Sequence, residues 1–509
     1  MPTASHCADH PQVAKAPGRS GLATVWNQQR TGWIDVATVS APTDVGSSGR
    51  TRSIEWLRRR VYEPVARARL EYVFLLVALA WGVAQVFIVP PLQVPDEGDH
   101  WFRAWALTDG QLIADPRGEV TLPGTFARTV DLYTSLVSDT RVLPPSLEGQ
   151  PGFTGYESLF NGAGSSSSIR VVSRVANYGP VGYVPQAAGI GLGRMLGASP
   201  LACFYLARLA NLFAAVGLLF FAIRLAPFAK QLFLLLALLP MTMFELASVS
   251  CDALTISGAM FFASLLLWAT RRPTLRNTDV AVVIAAAVVL LNVKPGYEAF
   301  VLLVLLLTPA QLGGHPRYMA FVAANVLAVL GVFLIGYVVT GAASRAQTDT
   351  GASDQLMFLL NQPLGFLGIL WSSLQNNLLK WTLESVGILG WLNVALTPAL
   401  YLFVLLAGFG FYVGMEETVD LRIEQRGLLA AVGVATFVTM AVVLYLFLPT
   451  SSGEPSFQGR YLAPVWLLLL LSAYGIRFTK MHLSTVPLIS VLLVVMVLNL
   501  QTLMSAYRA

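Results

Sequence analysis

Behind the apolar run "YVFLLVALAWGVAQVFIV" the chain reads "PLQVPDEGDHWFRAW", which sets Asp96, Glu97, Asp99 and His100 within five positions. A carboxylate within hydrogen-bond reach of a hydroxyl can take its proton. More polar and ionisable groups stand at the ends of other apolar runs. Glu245 and Asp252 flank "FELASVSCDAL", Lys294, Tyr297 and Glu298 lie in "VKPGYEAF", and Gln458, Arg460 and Tyr461 lie in "FQGRYLAP". Arginine can grip a phosphate through two parallel hydrogen bonds, and lysine adds a point charge. A base from Asp96 or Glu97 with a phosphate grip from Arg460 and Lys294 matches inverting glycosyl transfer from a phosphate-linked donor. Asp96, Glu97, Asp99 and His100 could also hold Mg²⁺ or Mn²⁺ through hard ligands. Adjacent Asp and Glu side chains rarely reach one ion, so the reading requires no cofactor.

These residues must be positioned by a membrane protein. The chain has 509 residues, 55% of them hydrophobic and 12% charged, with mean hydropathy +0.63. Soluble proteins carry about 25% charged residues. Three scattered cysteines, Cys7, Cys203 and Cys251, give neither a disulfide framework nor a zinc site. No phosphate-binding G-x-x-x-x-G-K-[ST] loop is present, and nothing points to a nucleic-acid partner. Residues 1–50 read as a disordered arm, and 51–70 as a basic juxtamembrane segment. Residues 71–505 form the transmembrane domain, an all-α polytopic bundle of about eleven helices. The expected spans are 71–90, 201–223, 230–249, 252–270, 279–293, 296–310, 319–340, 394–414, 427–448, 461–476 and 484–503.

Lys and Arg in the short loops set the orientation. Arg224 and Lys230, "RRPTLR", Arg317, Arg422 and Arg426, and Arg477 and Lys480 fall on the side of the N-terminus, which is therefore expected in the cytoplasm. The large first loop, 91–200, and the loop 341–393 then lie outside. The second holds Trp371, Trp381 and Trp391 and reads as an amphipathic helix on the outer leaflet. Asp96, Glu97, Asp99, His100, Glu245, Asp252, Lys294, Glu298 and Arg460 all fall on that outer face, where activated donors are lipid-bound rather than nucleotide-bound.

Each group also has a plainer reading. Asp252 could cap a helix, Lys294 could snorkel, Arg460 could bind lipid headgroups, and "PDEGDH" could be a solvated turn. A transporter or flippase for a lipid-linked glycan would also need cations for phosphate, but should carry midplane charges and broken helices. A non-enzymatic envelope-assembly scaffold would explain the loop but not the convergence of charge.

The stretches "PPLQVPDEGDHWFRA", "NYGPVGYVPQA", "LLPMTMFELASVSCDALT", "VKPGY", "GILGWLNVALTP" and "FQGRYLAP", over roughly residues 85–465, resemble the DUF2142 family of bacterial multi-pass proteins, placed with the GT-C membrane glycosyltransferases. The resemblance implies a GT-C-like fold in the bacterial cytoplasmic membrane. It also implies an acidic residue of the first outer loop beside a lipid-phosphate donor. On that basis Asp96 is the first choice for the base and Glu97 the second, and Arg460 and Lys294 look like donor-phosphate ligands. His100 is expected to orient a carboxylate or bind the acceptor. Arg103, Asp252, Tyr297, Gln458 and Tyr461 complete the expected substrate-binding set. The expected partners are a polyprenyl-phosphate-linked sugar, a glycan or lipid-linked acceptor, and membrane lipids.

Overall fold

The computed structural model describes residues 69–113, 118–138, 153–160, 167–176, 178–347, 351–414, 419–447, 454–475 and 485–508. The expected arm at 1–50 and the basic segment as far as residue 68 lie outside them.

Helix α1 (Leu70–Ile88) has 19 residues, about 28 Å of rise, which matches a hydrocarbon core. Pro90 and Pro91 follow it, and the missing N–H groups and fixed φ of two prolines prevent continuation. A type II turn over Val94–Glu97 then starts α2 (Glu97–Thr108), with the Glu97 N–H donating to the Val94 carbonyl at 3.1 Å. Beyond α2, strand β1 (Glu119–Pro123) pairs antiparallel with β2 (Ser168–Val172), Glu119 opposite Val172. Helices α3 (Ala127–Ser138) and α4 (Phe153–Phe160) lie between them in sequence. The first loop is thus a folded cap on the bundle, and α5 (Val184–Met195) leads from it into α6 (Pro200–Leu225). Ser199 caps α6 by accepting the Ala202 N–H at 3.3 Å, with Pro200 in the first turn.

The run expected to cross at 230–249 is two short helices, α7 (Lys230–Ala237) and α8 (Pro240–Leu246). Pro240 has no N–H to continue α7, and the Thr242 hydroxyl donates to the freed Leu236 carbonyl at 2.9 Å. After α9 (Asp252–Thr270) and α10 (Asn277–Leu291), the run at 296–310 is a 3₁₀ helix, Glu298–Leu306. Then come α11 (His315–Gln347), α12 (Gly351–Asn361) and α13 (Pro363–Gly387), a pair of two-residue strands, and α14 (Pro398–Val413). Helix α15 (Ile423–Phe447), a 3₁₀ turn at Gly459–Leu462, α16 (Ala463–Ala473) and α17 (Thr485–Arg508) close the chain.

The architecture is helical, as expected, but the count of eleven spans is not reached. Among the described residues six helices are long and apolar enough to cross a membrane: α1, α6, α9, α11, α15 and α17. A seventh arises if α12 and α13, bent by 104° at their junction, cross together. Three shorter apolar helices, Asn277–Leu291, Pro398–Val413 and Gly459–Ala473, accompany them. Helix α13 occupies much of the stretch 341–393, where an amphipathic helix on the outer leaflet is expected. It exposes Trp371, but it buries Trp381 and Glu384 against the bundle rather than lying free of it.

The two ends of the bundle differ chemically. At one end Gln311 Nε2 donates to the Ala269, Thr270 and Arg272 carbonyls, closing α9. There Arg426 Nη1 donates likewise to Ser472 and Tyr474, closing α16. At the other end, where α9 begins at Asp252, carboxylates meet cations. Asp131 belongs to the cap at that second end, and Thr274 to the α9–α10 turn at the first; both are exposed. Single cysteines at Asp131 and Thr274, with the native cysteines replaced, are therefore expected to react with an impermeant thiol reagent from opposite sides of the membrane. Labelling of both from the same side of sealed vesicles would refute this topology.

Candidate active site

Four interruptions of the helical runs meet in space: the α1–α2 turn, the α8–α9 turn, the break at 292–297, and the segment leading to the Gly459–Leu462 turn. Asp96 has φ 61° and ψ 6°, the left-handed conformation that the third position of a type II turn demands and that Asp tolerates better than bulkier residues. It stands at the N-cap of α2, yet its side chain makes no capping bond. Instead Asp96 Oδ2 accepts from Arg460 Nη2 at 2.6 Å. Its side chain is 24% exposed, while that of Arg460 is 1% exposed.

Arg460 is the hub. Its Nη1 also donates to the Pro95 carbonyl and to Glu245 Oε1, each at 3.2 Å. Its Nη2 donates to the Tyr461 hydroxyl at 3.2 Å, and its Nε lies 3.5 Å from Asp252 Oδ2. Lys294 Nζ donates to Asp252 Oδ1 and sits 4.0 Å from the centre of the Tyr461 ring, a cation–π contact. The Tyr297 hydroxyl donates to the Tyr461 carbonyl at 3.0 Å. The structure therefore brings Asp96, Asp252, Lys294, Tyr297, Arg460 and Tyr461 together. Asp252 opens α9, but its carboxylate faces the two cations rather than capping the helix. Gln458 is half-buried beside this group, with Oε1 unpartnered among the described residues.

Glu97 faces the other way. Its oxygens accept from Arg208 Nε at 2.8 Å and Nη2 at 2.7 Å, and from the backbone N–H groups of Leu92 and Val249 at 3.0 and 3.1 Å. With four donors on two buried oxygens it has no room for a substrate proton, so the expectation of Glu97 as second-choice base is corrected to a structural pairing. Arg208 was missed by sequence reasoning, although an arginine nine residues into an apolar run is itself a signal. It also donates to the carbonyls of Val86, Val89 and Pro90, closing the end of α1. Arg103 is likewise structural: Nη1 and Nη2 donate to the Gln111 and Leu112 carbonyls at 2.8 and 2.7 Å.

The remaining acidic-loop residues support the cap. Asp99 accepts from the Tyr133 hydroxyl at 2.6 Å and from the Arg174 N–H at 3.2 Å. Burial, reinforced by the neighbouring Asp96 charge, raises its pKa from 3.8 to about 6, against the pull of these two donors. His100 Nδ1 is 2.8 Å from the Tyr183 hydroxyl. Burial lowers its pKa to about 4 despite Asp252 and Asp96, so the imidazole is neutral at pH 7. Asp96 is the converse case. Burial pushes it up, but the Arg460 charge and hydrogen bond outweigh burial and hold it below the usual carboxylate value.

Two glycines permit the close approaches. A Cβ on Gly459 would lie 2.2 Å from the Trp381 carbonyl oxygen. The Gly459 N–H donates to Glu384 Oε2 at 2.7 Å, so the end of α13 holds the backbone that carries Arg460. Sequence reasoning did not single out Glu384. A Cβ on Gly179 would lie 2.3 Å from the Asn292 carbonyl oxygen, which places "YGPVGY" against the break that carries Lys294. The side chains of Asp96, Glu97, Asp99 and His100 diverge to four different partners. Among the described residues no group of three or more His, Cys, Asp or Glu is arranged to hold a metal ion.

The model of the family described as predicted membrane protein (DUF2142) matches residues 79–469, a range that contains every residue of this site. No curated protein and no solved structure matches the chain.

Two outcomes follow from the pairing. Arg208→Met leaves Glu97 charged and buried, and loss of one partner of such a pair costs about 3–5 kcal/mol. Its thermal unfolding in detergent is expected well below that of Asp96→Asn, whose site is partly exposed. Equal melting of the two variants would contradict the assignment. For Asp99 the folded-state pKa is raised, so its stabilising contribution is full below about pH 3.8 and is lost as pH rises through about 6. Relative to Asp99→Asn, the wild type should lose stability between pH 4 and about pH 6.5. A constant difference across that window would refute the shift.

Proposed function

The chain belongs to the DUF2142 family of predicted membrane proteins, and from that premise we propose that it is a membrane glycosyltransferase of the GT-C type. It moves a sugar from a polyprenyl-phosphate donor to a cell-envelope glycan or lipid-linked acceptor. The observation that carries this reading is Asp96. It is an ionised, partly exposed carboxylate, set in a left-handed turn and held by a buried arginine at the end of an apolar bundle. A solvated turn requires none of these features.

In the proposed reaction Asp96 takes the proton of the acceptor hydroxyl. That oxygen bonds to the anomeric carbon, and the carbon–oxygen bond to phosphate breaks from the opposite face, its electron pair leaving with the phosphate. Inversion follows. Arg460 keeps Asp96 ionised and aimed. Its contacts with Pro95, Asp96, Glu245 and Tyr461 make it a positioning residue rather than the phosphate ligand first expected. The reaction so written needs no metal. The distribution of Lys and Arg supports an extracytoplasmic site and a cytoplasmic N-terminus in the bacterial inner membrane, where a lipid-linked donor is the available activated sugar.

One observation favours a second reading. The 104° bend between α12 and α13 is compatible with the broken helices of a transporter for a lipid-linked glycan. Deletion of the gene separates the two. A missing sugar with accumulated polyprenyl-phosphate sugar is the transferase outcome, and a stranded complete lipid-linked polymer is the transporter outcome.

With purified protein, Asp96→Asn should lower turnover at saturating donor by about 10²–10⁴-fold while folding is kept. Arg460→Lys should lower it by more than about tenfold, because an ammonium cannot serve the acceptors that surround a guanidinium. Wild-type turnover in Asp96→Asn would remove the base and with it the enzymatic reading.

A further inference from the structure

The site has a charge problem that the residues described so far leave open. Three carboxylates, Asp96, Glu245 and Asp252, surround two buried cations, Arg460 and Lys294. Both cations already face carboxylates, and the group has no positive charge to spare. An anionic substrate entering beside Asp96 would meet an ionised carboxylate and no net positive charge in a poorly solvated place.

Arg174 lies at the mouth of this group. Its guanidinium is 51% exposed and reaches within 4.0 Å of Asp96 Oδ1, the oxygen that Arg460 does not hold. That guanidinium makes no hydrogen bond among the described residues, whereas Arg103, Arg208 and Arg460 spend theirs on carbonyls and carboxylates. The backbone beneath it is fixed. The Arg174 N–H donates to Asp99 Oδ1, the preceding Ser173 hydroxyl donates to the Asp99 carbonyl at 3.4 Å, and the Ala176 N–H closes a turn on the Ser173 carbonyl at 3.1 Å. Asp99 is in turn pinned by Tyr133. A guanidinium on an anchored backbone, with its N–H donors not yet spent on hydrogen bonds, can turn its fork to a planar pair of anionic oxygens.

We propose that Arg174 binds the phosphate group of a lipid-linked substrate at the mouth of the Asp96 site, supplying the positive charge that the buried cluster lacks. The inference rests on the proposed function for its choice of a lipid-linked phosphate. The fork and its charge argument would hold for any phosphate monoester or diester.

The test measures binding without turnover. The full chain in nanodiscs of phosphatidylcholine is titrated with a polyprenyl phosphate, with the matching polyprenol as the phosphate-free probe and inorganic phosphate as competitor. The wild type is expected to prefer the phosphate to the polyprenol. Arg174→Gln should weaken phosphate binding about tenfold or more, and Arg174→Lys less, since the charge remains while the fork is lost. Arg194→Gln, at a remote exposed arginine paired with Asp109, should bind as the wild type does. Displacement by millimolar inorganic phosphate would keep the anion site and assign it to free phosphate. Wild-type affinity in Arg174→Gln, or equal binding of phosphate and polyprenol, would overturn the proposal. The two readings fail separately. Normal turnover in Asp96→Asn would sink the transferase but leave an Arg174 phosphate site standing, whereas normal binding by Arg174→Gln beside an inactive Asp96→Asn would do the reverse.

Discussion

A guanidinium taken out of water must be surrounded by acceptors, and Arg208 and Arg460 both meet that need within one end of the bundle. Arg208 meets three backbone carbonyls and one carboxylate, and Arg460 meets one carbonyl, three carboxylates and a hydroxyl. Backbone carbonyls become available to a side chain only where a helix stops. The prolines after α1, the short helices around Pro240, the break at Lys294–Gly296 and the 3₁₀ turn at Gly459 are therefore not incidental irregularities of otherwise plain spans. The end of α1 and the turn at Pro95 supply the carbonyls, and α8 and the start of α9 supply carboxylates, that make Arg208 and Arg460 tolerable while buried. Irregular backbone in a membrane protein is acceptable where it is enclosed by protein, and residues 91–97 are buried apart from the half-buried Asp96.

The two arginines do different work with the same chemistry. Arg208 with Glu97 is a closed account of hydrogen bonds: both oxygens and all three nitrogens are used, and nothing is left for a substrate. Arg460 is less complete. Its Nε and Asp252 Oδ2, an ion pair 3.5 Å apart, and Glu245 Oε2 are buried without a hydrogen bond among the described residues. Buried polar atoms without partners are uncommon in folded proteins, and they tend to concentrate where a structure is built to react or bind rather than to rest. Adjacent residues of one turn thus feed two opposite purposes. Glu97 fixes the turn to α6, and that fixation holds Asp96 in a left-handed conformation facing Arg460.

The cap gives the cluster its outer wall. Asp99 ties α3 and the Ser173–Ala176 turn to α2, and His100 ties the Pro180–Tyr183 turn to the same helix. Helix α2 therefore presents successive ionisable residues to four different neighbours, and only the first of them, Asp96, keeps a partly exposed oxygen. The proposed chemistry is confined to that oxygen by the surrounding packing, which also excludes water from the cations behind it.

The membrane class was legible in the chain before any fold, because hydropathy alone decides whether a run can sit in hydrocarbon. So were the positions of the polar residues, because an ionisable group at the end of an apolar run is visible without a fold. Asp96, Asp252, Lys294 and Arg460 were legible for that reason, and the fold brought them within contact of one another. What the sequence could not decide was direction. Glu97 and Arg103 have the same local signature as Asp96, and only the placement of α6 and of the Gln111–Leu112 carbonyls turns them into structural braces. Run length was equally ambiguous: 230–249 and 296–310 are apolar enough to cross, yet Pro240 breaks the first into two short helices and a 3₁₀ helix replaces the second. Glu384 and Arg174 carry no signal near the motifs they serve, being 75 residues before Gly459 and 78 residues after Asp96 in the chain. Their proximity exists only once α13 and the cap have folded against the bundle, since long-range contacts between polar groups leave no periodicity in a sequence.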